Sequence, residues 1–442
     1  TDRTAGRGHL LSEGALTTLS PMVSNEGNKW MRVSATVAVA LAGLLSCASP
    51  GRPISSGALP RNAVAYVDTA SRIHVVDMDT DRAIEVSDYV DASEDAIFAY
   101  PTWSPSTDAL AFVGVEPGER GTVYYASGGT IRPLYSGAVS PFYLSISDSG
   151  EVVGVLGSHS DGGPLALLGV SVDGNRAVEA LRGRPLYWDW IPGGSSLMAN
   201  VGNPSDVALV EIGRWGAQST EFELTPSPFR VPAVSRDGTQ VAYAFAEGES
   251  GSALTISDID GRDSDRVMRL RGVPAFSYSP AGDHLAVFQG IPTALGVSVG
   301  PVTVLDTGTG DEIIVSQRSV GYYWSPDGTK LAYLEPVATD DGTTLSLILS
   351  IYYVEEDARR ILYRFRPSPT FLQQVLPFFD QYQRSTRFWS PDSSSFLTHA
   401  LTRDGEPGIY VVPISDSPRS ILVQSSGARL LAEGLFATWS FR

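Results

Sequence analysis

One turn recurs along this chain at a near-constant interval, and that interval leaves few folds open. Its fullest copy is Trp324-Ser325-Pro326-Asp327-Gly328, followed by the alternating run Lys330-Leu331-Ala332-Tyr333-Leu334. Ser325 and Asp327 can hydrogen-bond their own backbone, Pro326 presets φ, and Gly328 admits positive φ. With the aromatic as the mark, copies stand at Trp103, Ile146, Trp190, Val234, Tyr278, Trp324, Trp389 and Trp439, the second and fourth having lost the aromatic. The spacings are 43, 44, 44, 44, 46, 65 and 50 residues. A period near 44 matches one four-stranded propeller blade.

Each period fills in the same way. A second strand follows the turn, as in Gln240-Val241-Ala242-Tyr243-Ala244, then a third such as Val302-Thr303-Val304-Leu305, then a fourth such as Ile313-Ile314-Val315. Short antiparallel strands with no helix between them make blades and not βαβ units. The ends of the repeat array supply a second argument. Residues 62–88 carry strands two, three and four without a first, and residues 434–440 read as a first strand alone. Together they complete one blade and close the ring, which removes exposed strand edges. The fold class is therefore all-β: a single propeller over residues 62–442, with eight four-stranded blades and seven as the alternative.

The Trp-Ser-Pro-Asp-Gly turn with its apolar strand resembles the TolB-type, WD40-like propeller repeat. It is also similar to repeats in the propeller domains of prolyl oligopeptidase-family proteins. The resemblance speaks for architecture and is nearly silent about activity. Those peptidases carry an α/β catalytic domain, and the sequence shows none after the repeats, so no peptidase activity is expected.

Hydrophobic residues make up 43% of the chain, ample for a core, and 44 Gly and 29 Pro suit many tight turns. The net charge of −17 argues against nucleic acid and anionic membrane surfaces as partners. It suits a protein kept in solution outside the cytoplasm.

Residues 1–30 lack periodicity and read as upstream sequence, with Met31 as the start and Met22 as the alternative. Residues 31–46 combine a basic beginning, a short apolar run and a small-residue exit, the pattern of a secretory signal. Leu44-Leu45-Ser46-Cys47 resembles a bacterial lipobox, which implies lipidation of Cys47. That residue is the chain's single Cys, so an internal disulfide does not account for it. Residues 47–61 read as a flexible tether. The localisation that follows is export, to the cell membrane or outer membrane, facing periplasm or exterior.

Chemical motifs are sparse. Gly296-Val297-Ser298-Val299-Gly300 matches the hydrolase pattern G-x-S-x-G, but a strand follows where the nucleophile elbow needs a helix. Asp77-Met78-Asp79-Thr80-Asp81 begins like a calcium loop and lacks the sixth-position Gly. His9, His74, His159, His284 and His399 stand apart, with no metal-ligand spacing. No catalytic constellation, metal site or cofactor is expected. Trp103, Trp190, Trp324, Trp389 and Trp439 read as structural, each packing between blades.

The 65-residue unit carries its excess between Arg366 and Arg387. Phe371, Val375, Phe378 and Tyr382 recur at helical spacing, and Pro377 divides the segment into two short turns. It sits between a fourth strand and the next first strand, hence at a channel mouth. One reading makes it an aromatic plug packed on neighbouring blades. The other makes it a contact for an unknown protein or small ligand through Phe371, Phe379, Tyr382, Arg384 and Arg387, residue types typical of interface anchors. The functional expectation is an exported, lipid-anchored binding scaffold at the bacterial cell envelope. The alternatives are a propeller enzyme with a channel-mouth site and a regulatory subunit of a separately encoded hydrolase.

Overall fold

The computed structural model describes residues 51–442 apart from 56, 161, 204–205, 213–217, 224–229, 248–250, 295, 339–344 and 419–426. The upstream segment, the signal region and Cys47 lie outside the described residues. Within them, no helix is long and apolar enough to cross a membrane.

The chain is a β-propeller. Its sheets follow one another along the sequence, each built from consecutive antiparallel strands. Blade 1 covers residues 97–136, blade 2 139–183, blade 3 186–223, blade 4 233–270, blade 5 273–319 and blade 6 321–365. Blade 7 holds three named strands over residues 395–433. The closing blade joins Phe436–Trp439 to Ala63–Val67, Ile73–Asp77 and Arg82–Glu85. Seven sheets thus contain four blade strands each, and the eighth contains three.

Closure is made by both ends of the repeat array. Val64 pairs with Trp439, and Val67 with Phe436, in one antiparallel register. Ser440 Oγ accepts from the Ala63 amide at 3.0 Å, which extends the seam beyond the ladder.

The blade turn behaves as its residues dictate. Ser325 Oγ donates to Asp327 Oδ1 at 2.6 Å, and the same bond recurs between Ser235 and Asp237 and between Ser390 and Asp392. Gly328 sits at φ +75° and packs on Ala281 of the neighbouring turn, where a Cβ would come within 2.7 Å. Turn packs on turn around that rim, so Gly is needed for both conformation and space.

Two expectations change in detail. The described residues between 51 and 60 are docked and not a free tether. Arg52–Pro53 adds a fifth strand to blade 1, pairing with Thr130 and Ile131, and Ile54 and Leu59 are buried. Those two apolar side chains, set among Ser, Pro and Gly, drive the docking. Blade 7 differs too. Its innermost position is filled in two pieces, by a bridge from Pro367 to Ala400 and by another from Trp389 to Phe396. The intervening residues leave the sheet and return. The long insertion interrupts an inner strand and does not merely precede it.

Candidate functional site

The insertion fills the ring's axis. It forms three short helical pieces, Phe371–Val375, Leu376–Phe378 and Phe379–Ser385, with Pro377 opening the middle one. Phe379 packs edge-on against Phe288 of blade 5 and Tyr322 of blade 6. Tyr382 meets Tyr143 of blade 2 and Phe436 of the closing blade. Phe371 lies against Phe388 and stacks on His399 of blade 7. One core cluster unites Phe371, Phe379, Phe388, Phe288, Tyr322 and Phe436 with apolar residues of blades 1, 5, 6, 7 and the closing blade.

Polar groups fix the plug's orientation. Gln381 donates through Nε2 to Tyr143 Oη and to the Trp188 carbonyl, each at 3.1 Å, and its Oε1 accepts from the Trp188 amide at 3.1 Å. Arg384 reaches Asp189 of blade 3 at 2.8 Å and the Phe276 carbonyl of blade 5 at 2.9 Å. Burial raises the Asp189 carboxyl above its usual range despite the adjacent guanidinium. Asp380 is raised by burial as well, opposed by Arg230 and Arg384.

Four of the five residues expected to face a partner are therefore engaged inside the ring. Phe371 and Phe379 are buried, and Tyr382 and Arg384 bridge blades. The Arg387 guanidinium lies over the Phe441 ring, 4.0 Å from its centroid. Pattern alone put these side chains on an amphipathic face, but that face looks inward. Phe378 is the plug's large exposed apolar residue.

Three recesses flank the plug. On the side where the inner strands begin, one of about 60 Å³ lies between Arg230, Asp380 and Phe379, and one of about 120 Å³ between Ile97, Tyr100, Gln374 and Phe436. On the turn side, a cavity of about 140 Å³ is lined by Tyr278, Tyr323, Trp324, Gln383, Arg384, Arg387, Trp389 and Phe441, among others. This third recess stands out chemically. Tyr278 Oη, Tyr323 Oη, Gln383 Nε2 and Arg384 Nε are buried without a hydrogen-bond partner, and all four residues line it. Buried polar groups are nearly always paired, so four such residues along one cavity mark a place where water or a bound molecule can pair them.

The repeat tryptophans shape this rim. The indole N–H of Trp324 donates to Ser277 O at 3.1 Å, and that of Trp389 to Tyr323 O at 3.0 Å, each reaching the preceding blade. Trp103 reaches Thr438 O at 3.3 Å, and Trp190 reaches Ser145 Oγ at 2.8 Å. Trp439 donates to Asn62 Oδ1 within its own sheet instead.

The remaining motifs resolve into local structure. Ser298 begins the strand Ser298–Asp306, with no helix after it. Asp77 accepts from the Asp79 amide and the Thr80 hydroxyl of its own turn. Among the described residues, no three or more His, Cys, Asp or Glu side chains gather as a metal site would require.

Sequence reasoning marked Tyr278 only as a repeat position and gave no functional role to Asp189, Gln381, Gln383 or Tyr323. One signal was available. The residue before each repeat mark reads Thr102, Ser145, Asp189, Ala233, Ser277, Tyr323, Phe388 and Thr438. Against small neighbours, the charged Asp189 and the large Tyr323 and Phe388 depart, and all three touch the plug or its recess.

No protein-family model matches the chain, and no curated protein matches it. Solved structures do, as folds. An oligogalacturonate lyase in complex with manganese is 12% identical over 84% of this chain and 100% of that one, with a TM-score of 0.48. A eukaryotic initiation factor is 10% identical over 86% and 98%, TM-score 0.49. TolB from Acinetobacter baumannii is 17% identical over 58% and 64%, TM-score 0.36. At these identities the likeness is one of fold.

Proposed function

We propose that this propeller is a ligand-binding module displayed outside the cytoplasm on a lipid carried by Cys47, without catalytic machinery of its own. The observation that carries the binding role is the turn-side recess with its four orphaned polar atoms. Leaving such groups unpaired costs about 1–3 kcal/mol each. A bound molecule relieves that cost in a way that packing inside the ring does not. The plug supports the same reading, because it fills the axis and leaves the recess at the turn side.

Titration of the folded chain with a panel of small polar compounds, neutral and charged, tests the reading. Trp324 and Trp389 line the recess, so their fluorescence reports occupancy. A saturable response that weakens in Tyr323→Phe is expected. Silence across the whole panel overturns the binding role.

The anchor is tested separately. Cys47→Ala is expected to move the protein from the membrane to the soluble fraction, and continued membrane retention overturns lipidation. Five residue steps separate Cys47 from the docked Arg52, a reach of at most roughly 18 Å. A lipid at Cys47 would therefore hold blade 1 close to the bilayer surface.

A further inference from the structure

We infer that the turn-side recess takes an anion, specifically a carboxylate, and that Arg387 is its principal recognition residue. The inference rests on the binding role proposed above and adds the chemical class of the ligand.

The charge arrangement carries it. Among the described residues no Asp or Glu lines the recess, although the chain as a whole is strongly acidic. Arg384 is neutralised by Asp189 at 2.8 Å. Arg387 has no carboxylate at ion-pairing distance among the described residues; its side-chain neighbours are the Phe441 ring at 4.0 Å and the Phe441 carbonyl at 3.5 Å. Another cation, Arg236, exposed on the turn of blade 4, also acts on it. Burial, and then Arg236, pull the Arg387 guanidinium down to about 10, so it stays charged at neutral pH. A mostly buried charge facing a second like charge is costly unless a counter-ion is supplied. Water can satisfy the orphaned hydroxyls, but it does not balance this charge.

Hydrogen-bonding capacity points the same way. Gln383 Nε2 and Arg384 Nε only donate, and the two tyrosine hydroxyls can donate. The complementary ligand is rich in acceptors. A carboxylate offers two oxygens with about four lone-pair sites and matches a guanidinium fork. Trp389 and Phe441 provide an apolar wall for the body attached to it. A cavity of about 140 Å³ admits a small molecule or the end of a longer chain, and not a folded surface. The source is thus either a free organic acid or a peptide's terminal carboxylate.

The full chain is titrated with benzoate, its neutral counterpart benzamide, and a short Phe-terminated peptide as free acid and as amide, read by Trp fluorescence and calorimetry. Benzoate is expected to bind saturably, with benzamide at least about tenfold weaker. Arg387→Met is expected to weaken benzoate at least about tenfold. Arg236→Glu changes an exposed side chain and so keeps the test alive if the first variant misfolds; it too should weaken benzoate. Tighter binding of the free-acid peptide than of benzoate identifies a chain terminus as the source, and the reverse order identifies a small acid. Equal binding of benzamide and benzoate overturns the anion assignment while leaving the recess a binding site. Unchanged benzoate binding in both variants overturns it as well.

Discussion

The indole nitrogen of Trp324 donates to the carbonyl of Ser277, 47 residues earlier and one blade back, at 3.1 Å. Ser277 stands immediately before Tyr278, the mark of its own repeat. Trp389 and Trp103 obey the same rule with Tyr323 and Thr438, and Trp190 reaches the side chain of Ser145 at the same offset. In these four repeats one side chain thus ties the inner strand to the one before it. Trp389→Phe keeps a six-membered aromatic ring but loses the donor and the pyrrole ring, and should cost about 1–3 kcal/mol. Trp389→Ala should cost about 3–5 kcal/mol, because the indole is almost wholly buried. Urea unfolding measures both. Equal costs for the two would show that the ring packs nothing.

The plug is held by a buried ion pair, Arg384 to Asp189 at 2.8 Å with both side chains nearly inaccessible. Removing one partner strands the other charge, so Arg384→Met should destabilise by about 3–5 kcal/mol. Arg384→Met combined with Asp189→Asn removes both charges and should recover much of that loss. A strictly additive double variant would mean the pair is not coupled.

At the position where the turns of blades 2 to 6 carry Gly, blade 7 carries Ser393 at φ +59°. The left-handed conformation costs a non-glycine residue about 1–2 kcal/mol. An inter-blade bond offsets it: the Asp327 amide donates to Ser393 Oγ at 3.2 Å. Ser393→Gly relieves the strain and loses the bond, so it should be near neutral. Ser393→Ala keeps the strain and loses the bond, and should cost about 1 kcal/mol. Thermal melts of the two variants should differ in that order.

The ring was legible because its signal is local and repeated. Turn residues report their own φ, alternation reports each strand, and the missing first strand beside Ala63 requires a partner such as Phe436–Trp439. The plug's orientation was not legible. Helical spacing shows that Phe371, Val375 and Tyr382 share a face, but not which way that face looks. The answer depends on Tyr143, Trp188, Phe276 and Tyr322, which stand on four different blades. The arm was misread for a related reason. Ile54 and Leu59 are two apolar residues in a polar stretch, and their binding surface on blade 1 exists only once the ring has formed. The recess is harder still, since its orphaned atoms are visible only as failures of pairing in three dimensions.

His399 couples blade 7 to the closing blade in a way that acid should undo. Its ring stacks between Phe371 and Phe436, and its Nε2 accepts from the Ala437 amide at 2.9 Å. That bond places the proton on Nδ1, which has no partner. Burial pulls the imidazole down to about 4. In the unfolded chain it titrates near 6.5. Above pH 6.5 both states are neutral, and His399 adds no pH dependence. Below that, the unfolded chain takes a proton that the folded ring refuses, so stability falls until pH reaches about 4 and then levels. The gap corresponds to about 3 kcal/mol. Asp189 and Asp380 act in the opposite sense, because their raised carboxyls bind protons sooner when folded. The turn carboxylates Asp237, Asp327 and Asp392 are lowered by their hydrogen bonds, so their losses fall below about pH 4. Subtracting the profile of His399→Gln, which retains an acceptor and cannot charge in this range, isolates the imidazole. Urea unfolding at pH 7, 6, 5 and 4 should show wild type losing about 3 kcal/mol more than the variant across the series. Parallel profiles would mean that this ring is protonated without loss, and that the stack does not depend on its neutrality.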